Sequence, residues 1–452
     1  MFKVTFLGWQ GWLIESGTTR LIADPLLLDE VGRGPRPTRV TFPGWPPRLF
    51  RPEALPDVHA VWISHEHEDH FNVPTLVRID RRVPLYVSAR MSLAAPTLAE
   101  ELGFSVTRID PGDSVDIGDL TLTTFSPDHR SHDLADEWDT VGYLVADRDR
   151  QGAFFTNVDV AVTERMVEAV TRLAAGDPPI QVLSCEGMKL ALWDEGRDHP
   201  QKASEMHHVP KTMGTCSADQ ALAALREGQS FSPRSGQVFV CRNGQIATVV
   251  ESAGFLGVRE EPWPEQEPFW PGPGTPMAPP RSGVERFSDA DVAELEEGLG
   301  DLARYLYRGP LFKLLYSLSS ADLGRRRSTF ALVLLTGDDK MYAYEYQPQA
   351  CDFTALDEVE DLSARYAGVV LLWATDLLAL FRGEIEPRTI IGSSSEAWIP
   401  ECTERLYSEL WTFFHPLRHP ERTLDQYRRI AREETDVPCW VRAAGQAVVR
   451  PH

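Results

Sequence analysis

The seven residues Ser64-His65-Glu66-His67-Glu68-Asp69-His70 constrain this chain more than any other stretch. They place three imidazoles and several carboxylates directly after the apolar strand candidate Ala60-Val61-Trp62-Ile63. Imidazole plus carboxylate is the ligand set of zinc, iron and manganese, and HxHxDH spacing lets one tight loop serve two adjacent cations. Only 12 His occur in 452 residues, so this density points to a metal site and away from an ordinary polar loop.

Length allows two domains, or one large α/β domain with a substantial extension. With 45 Lys and Arg against 67 Asp and Glu, the formal net charge is −22. That field opposes nucleic acid or an anionic membrane as a main partner, because phosphate recognition needs a concentrated basic face. The six cysteines are scattered without a CxxC pair, which argues against a zinc ribbon or an iron–sulfur cluster. The N-terminus reads as strand from Lys3 onward and lacks the pattern of a signal peptide, so a cytoplasmic protein is expected. The longest apolar stretch, Tyr366 to Phe381, is interrupted by Asp376 and is shorter than the about 20 residues a bilayer span needs. No membrane span is expected.

Residues 1–255 read as short strands with inserted helices: strands at Lys3–Leu7, Trp12–Ser16, Arg20–Ala23, Ala60–Ser64, Leu85–Ser88, Thr121–Phe125, Gly142–Ala146 and Ala153–Thr156, and helices at Pro74–Arg81, Met91–Leu102 and Thr163–Ala175. Sheets stacked between helical layers follow from that order. A hairpin around Arg242-Asn243-Gly244 closes this half. Residues 256–284 are dense in Pro and Gly yet carry Trp263, Phe269 and Trp270, which suits an arm docked on a surface. Residues 285–452 read as an α+β domain: a helix over Asp289–Leu306, strands at Phe330–Thr336 and Met341–Tyr346, and helices at Asp357–Tyr366 and Thr403–Phe414. Gly368–Phe381 begins as strand and turns helical, with Gly383 and Pro387 marking its end.

A pair of metals needs more donors than one loop supplies. Asp128-His129 follows the strand ending at Phe125, with His132 as the nearest competitor. Asp159 stands at a strand-to-helix junction, where a carboxylate could bridge two cations about 3.5–4 Å apart or simply cap the helix.

With these residues in place, the first half resembles the metallo-β-lactamase superfamily, through Gly8-Trp9, Leu21-Ile22-Ala23-Asp24-Pro25, the HxHxDH loop, His129 and Thr156-Asn157-Val158-Asp159. The resemblance implies an α/β fold, the αββα sandwich with an α+β C-terminal extension covering the site or mediating a homo-oligomer. It implies that His65, His67 and His129 hold one metal, that Asp69 and His70 hold the second, that Asp159 bridges, and that Asp24 orders the loop. The family's last His is missing where expected, at Gln229–Arg234, a departure from the pattern; of the nearby donors His208 is the first choice as substitute, with His207 and Glu186 as alternatives.

Two chemistries follow. Most relatives are zinc hydrolases of esters, thioesters, amides or phosphodiesters, in which paired metals activate water. The segment Val61–Val87 and the stretch from Asp376-Leu377-Leu378 through Gly383 and Ile390-Ile391-Gly392 to Trp411 also resemble the CMP-N-acetylneuraminate hydroxylase group, without its Rieske domain. A branch of the superfamily in antibiotic biosynthesis uses a nonheme diiron site as a monooxygenase. Glu66 and Glu68 make the loop oxygen-rich, which suits iron. The expectation therefore leans to two Fe ions over two Zn ions, in a monooxygenase of an apolar or nucleotide-linked small-molecule substrate, with dioxygen and an external electron donor. A catalytically silent scaffold is disfavoured by the intact first ligand set. The 12 Trp, 20 Phe and 11 Tyr could partly wall an apolar pocket, and Arg33, Arg36, Arg48 and Arg51 could bind an acidic handle.

Overall fold

A computed structural model describes residues 1–33, 40–43, 48, 50–126, 139–160, 163–177, 180, 182–186, 209–213, 238–242, 245–250, 287–307, 309, 327–337, 340–357, 359, 361–385, 395–396, 410 and 412–445. The chain opens as a meander, β1 (Phe2–Gly8), β2 (Gly11–Ser16) and β3 (Thr19–Ala23). A two-stranded ribbon, β4 (Glu30–Arg33) and β5 (Val40–Pro43), precedes β6 (Ala60–Ile63), β7 (Leu85–Ser88) and β8 (Val106–Ile109). A second series follows: β9 (Ser114–Ile117), β10 (Leu120–Phe125), β11 (Gly142–Asp147), β12 (Ala153–Thr156), β13 (Val182–Glu186) and β14 (Val209–Met213). The hairpin β15 (Val238–Arg242) and β16 (Gln245–Val250) then returns beside β1.

These strands build two sheets, ordered β16-β15-β1-β2-β3-β6-β7-β8 and β14-β13-β12-β11-β10-β9. Side chains alternate across each strand, so both faces must be covered. Phe2, Val4, Phe6, Trp12, Ile14 and Trp62 of the first sheet meet Leu120, Leu122, Tyr143, Val145 and Phe154 of the second. On the outer face of the first sheet, Leu13, Ile22, Val61 and Ile63 pack under α1 (Val73–Leu76) and α2 (Ala94–Glu101). On the outer face of the second, Leu144 and Phe155 pack under α3 (Glu164–Ala174) through Met166, Val167 and Val170. The result is the expected αββα sandwich, a metallo-β-lactamase fold.

A third sheet, β19-β18-β17-β20-β21, is formed by β17 (Arg327–Leu335), β18 (Met341–Gln347), β19 (Asp352–Ala355), β20 (Tyr366–Trp373) and β21 (Ser395–Glu396). Helices α4 (Asp289–Leu306) and α6 (Ala374–Arg382) cover one face, while α5 (Leu362–Arg365) lies by the other. Tyr344 and Tyr346, two residues apart on β18, belong to this core and serve sheet packing. Gly383, at φ 76°, ends α6 as anticipated, because the left-handed backbone suits glycine. The last described helix, α7 (Pro420–Glu433), touches both units: Arg422, Gln426 and Arg429 donate to carbonyls at the end of α6, while Tyr427 and Ile430, with Val441 beyond the helix, join the core of the first sheet.

Two helices are shorter than their sequence suggests. Pro74–Arg81 is helical only within α1, because Ile79 pairs with Val441 and the Asp80 amide donates to the Val441 carbonyl. Asp357–Tyr366 contracts to α5, since Tyr366 pairs with Arg327 at the start of β20. Similarly, α2 starts at Ala94, three residues late. The edge strands β8 and β9 went unanticipated, β8 because it exposes Thr107 and Arg108 and shows little apolar alternation. The arm 256–284 and most of Thr403–Phe414 lie outside the described residues. Among the described residues, no helix is long and apolar enough to cross a membrane.

Candidate metal centre

The Ser64–His70 loop leaves the end of β6 at the rim of the sandwich. Its shape is set locally by the His70 and Phe71 amides, which both donate to the His67 carbonyl. Asp24, at the end of β3, accepts the Ser64 amide at 2.7 Å through Oδ1 and faces His70 Nδ1 at 3.3 Å through Oδ2. It thus orders the loop, the role the resemblance implied. Ser64 Oγ lies 3.1 Å from His65 Nδ1 and 3.4 Å from His70 Nδ1.

With those ring nitrogens engaged, the opposite ones converge. His65 Nε2 lies 3.0 Å from His67 Nδ1, and both His65 Nε2 and His70 Nε2 lie 3.4 Å from one oxygen, Asp159 Oδ2. Asp69 Oδ2 is 3.6 Å from His70 Nε2. His65 and His70 are completely buried, and Asp69 nearly so. Asp159 arrives from the other sheet, past β12. The cap of α3 is Thr163, whose side chain accepts the Met166 amide, so helix capping does not account for Asp159. Gln10 Nε2 donates to Asp159 Oδ1 at 2.5 Å, leaving Oδ2 to the histidines.

The backbone is strained around these contacts. Trp9 beside Gln10, Asp24, and Val158 beside Asp159 have φ values of 53°, 45° and 53°. For a β-branched Val this is a true outlier, and such strain gathers where geometry serves function. The tight Gly8–Gly11 turn brings Gln10 to Asp159. A Cβ on Gly11 would lie 3.2 Å from the carbonyls of Gly8 and Asp24.

Electrostatics fit a cation at this point. Burial alone would lower His70, but Asp69, Asp24 and Asp159 hold it well above the usual imidazole range. Burial alone would raise Asp159, but His65 and His70 hold it well below the usual carboxylate range. Among the described residues, the ion-pair partners of Asp24, Asp69 and Asp159 are histidines. His70 Nε2 is buried without an aligned hydrogen bond although two carboxylates face it. His65, His70 and Asp159 offer atoms within 4.8 Å of one another, and a metal cation would satisfy all three.

One expectation is corrected. Glu66 does not enrich the centre in oxygen: its Oε2 accepts the Ser92 amide at 2.7 Å, and its Oε1 accepts the Ser92 hydroxyl at 2.8 Å and the Tyr427 hydroxyl at 3.2 Å. Burial and the Asp139 carboxylate push its pKa up to about 8, against the pull of those donors. Arg48 is likewise turned inward, onto the carbonyls of Leu26 and Leu28. His129, His132, His207 and His208 lie outside the described residues, as does the side chain of Glu186. The supporting residues Gln10, Ser92, Asp139 and Tyr427 were not anticipated. Gln10, next to a glycine in a turn between two strands, offered the sole local signal.

Residues 19–230 match the model of the beta-lactamase superfamily domain. No curated protein matches. Among solved structures, the chain is similar to an isothiocyanate hydrolase from Delia radicum gut bacteria, at 16% identity over 38% of this chain and 68% of that one, with a TM-score of 0.29. It is similar to CmlA, a diiron beta-hydroxylase from Streptomyces venezuelae, at 21% identity over 38% of this chain and 33% of that one, with a TM-score of 0.29. A third is Igni18, a metallo hydrolase from Ignicoccus hospitalis, at 15% identity over 38% of this chain and 66% of that one, with a TM-score of 0.28.

Proposed function

We infer that this chain, whose residues 19–230 match a beta-lactamase superfamily domain, is a dinuclear metal enzyme acting on a small molecule. The observation that carries this reading is the meeting of His65 and His70 with Asp159, from two different sheets, at one buried point. His65, His67 and, by resemblance, His129 would hold one cation. Asp69 and His70, with His208 standing in for the family's missing last His, would hold the other, and Asp159 would stand between them. Cations bound there lower the pKa of a coordinated water toward neutrality and polarise a carbonyl or phosphoryl oxygen.

The chain's own residues prepare that chemistry. Ser64 Oγ and the Asp24 carboxylate face His70 Nδ1, which leaves Nε2 toward the centre, and Gln10 holds Asp159 by its other oxygen. Hydrolysis of an ester, thioester, amide or phosphodiester is the reading the described donors support best. Turning Glu66 away leaves an imidazole-rich set, which zinc accepts well. A second reading, hydroxylation at two irons with dioxygen and an external electron donor, draws on a separate observation: the likeness of Val61–Val87 and of the stretch beginning Asp376–Gly383 to the hydroxylase group.

Elemental analysis of protein purified without added metal, with oxygen uptake followed in parallel, separates them. Two zincs per chain and no reductant-dependent oxygen uptake support hydrolysis; two irons with such uptake support the second reading. A chain that retains no metal and takes none up on titration overturns both.

A further inference from the structure

The metal loop is held from the far end of the chain. Tyr427 on α7 is 361 residues from Glu66, yet its hydroxyl donates to Glu66 Oε1, in the position between the ligand candidates His65 and His67. Ser92, just before α2, supplies two more donors to the same carboxylate. The Glu66 amide donates to Asp139 Oδ2 at 2.9 Å, so both backbone and side chain of this one residue are pinned. Tyr427 is itself fixed: its ring lies 5.3 Å from that of Phe71, and α7 docks through Ile430 and the Arg428–Glu101 pair.

We propose that Tyr427 is a positioning residue of the metal centre, aiming His65 and His67 by clamping Glu66 between α7 and Ser92. The inference rests on the metal-centre reading above. Groups that orient ligands without touching the metal commonly change metal affinity by about 10- to 100-fold. A hydroxyl that only glued α7 to the sandwich would change stability and leave affinity alone.

The test is zinc retention by the full chain under chelator competition, together with the visible absorption of the Co²⁺-loaded protein, for wild type, Tyr427→Phe, Ser92→Ala and Ile430→Val. Tyr427→Phe keeps the ring packing. It is expected to weaken zinc retention about tenfold and to shift the Co²⁺ bands, with Ser92→Ala acting in the same direction. Ile430→Val loosens the same helix without touching Glu66, so it should lower the unfolding temperature while keeping wild-type affinity and spectrum. Tyr427→Phe with a wild-type chelator midpoint and spectrum overturns the proposal, and this variant alone decides if Ser92→Ala fails to fold. A wild-type chain that takes up neither Zn²⁺ nor Co²⁺ would instead sink the metal-centre reading itself.

Discussion

Glu345 in the third sheet and Asp159 at the sandwich rim are both acids withdrawn from water, and they are held in opposite ways. Glu345 accepts two hydrogen bonds from the Arg327 guanidinium at 2.9 Å and one from the Tyr366 hydroxyl at 3.1 Å. Its charge is answered by the protein's own cation. Asp159 meets two buried imidazoles and one amide, beside a second carboxylate, Asp69, that faces the same His70. A fold built only for stability closes its ion pairs as Glu345 does. One that gathers imidazoles and carboxylates at a strained backbone is prepared for a cation from outside.

That contrast breaks most sharply at Asp159. Asp159→Asn keeps the shape and removes the charge, and it is expected to lower metal affinity and turnover by more than about 100-fold, beyond the usual range for outer groups. Losing the charge that faces His65 and His70 should also lower the melting temperature of the metal-free chain, by calorimetry; a folded variant with wild-type metal uptake would make Asp159 a structural acid like Glu345. Gln10→Leu sharpens the same side. It frees Asp159 Oδ1 without opening a cavity, and chelator competition should show metal retention reduced about 10- to 100-fold. An unchanged midpoint would leave Gln10 without a role in aiming the carboxylate. The smallest effect belongs to the other region. Glu345→Gln should cost about 1–2 kcal/mol in denaturant unfolding, discounted because the Arg327 side chain is 60% exposed. Bound metal per chain should stay at the wild-type value, and a drop would couple the third sheet to the centre.

Much of the sandwich was legible along the chain. Runs such as Lys3–Leu7 and Ala153–Thr156 are rich in apolar residues and buried at nearly every position, since both faces of a central strand are covered, and they read as strands without knowledge of their neighbours. The edge strand β8 was not legible, because it carries polar side chains outward. Pro74–Arg81 and Asp357–Tyr366 were overread as full helices. In each, a strand-like pairing with a distant segment, Val441 in one case and Arg327 in the other, claims backbone groups that local propensity would have spent on the helix.

The centre divides along the same line. Local spacing alone put His65, His67, Asp69 and His70 on one loop after one strand, and Asp24 was assigned its ordering role by resemblance. What Glu66 does was decided in three dimensions: spacing counted it with the donors, but Ser92 and Tyr427 turn it away. The meeting of Asp159 with His65 and His70 likewise depends on two sheets packed face to face. Ligand type and spacing are properties of a few covalently linked residues, so sequence alone carries them. The direction in which a buried carboxylate points is set by whichever donors the folded chain brings within hydrogen-bond reach, and those came from 26 and 361 residues away.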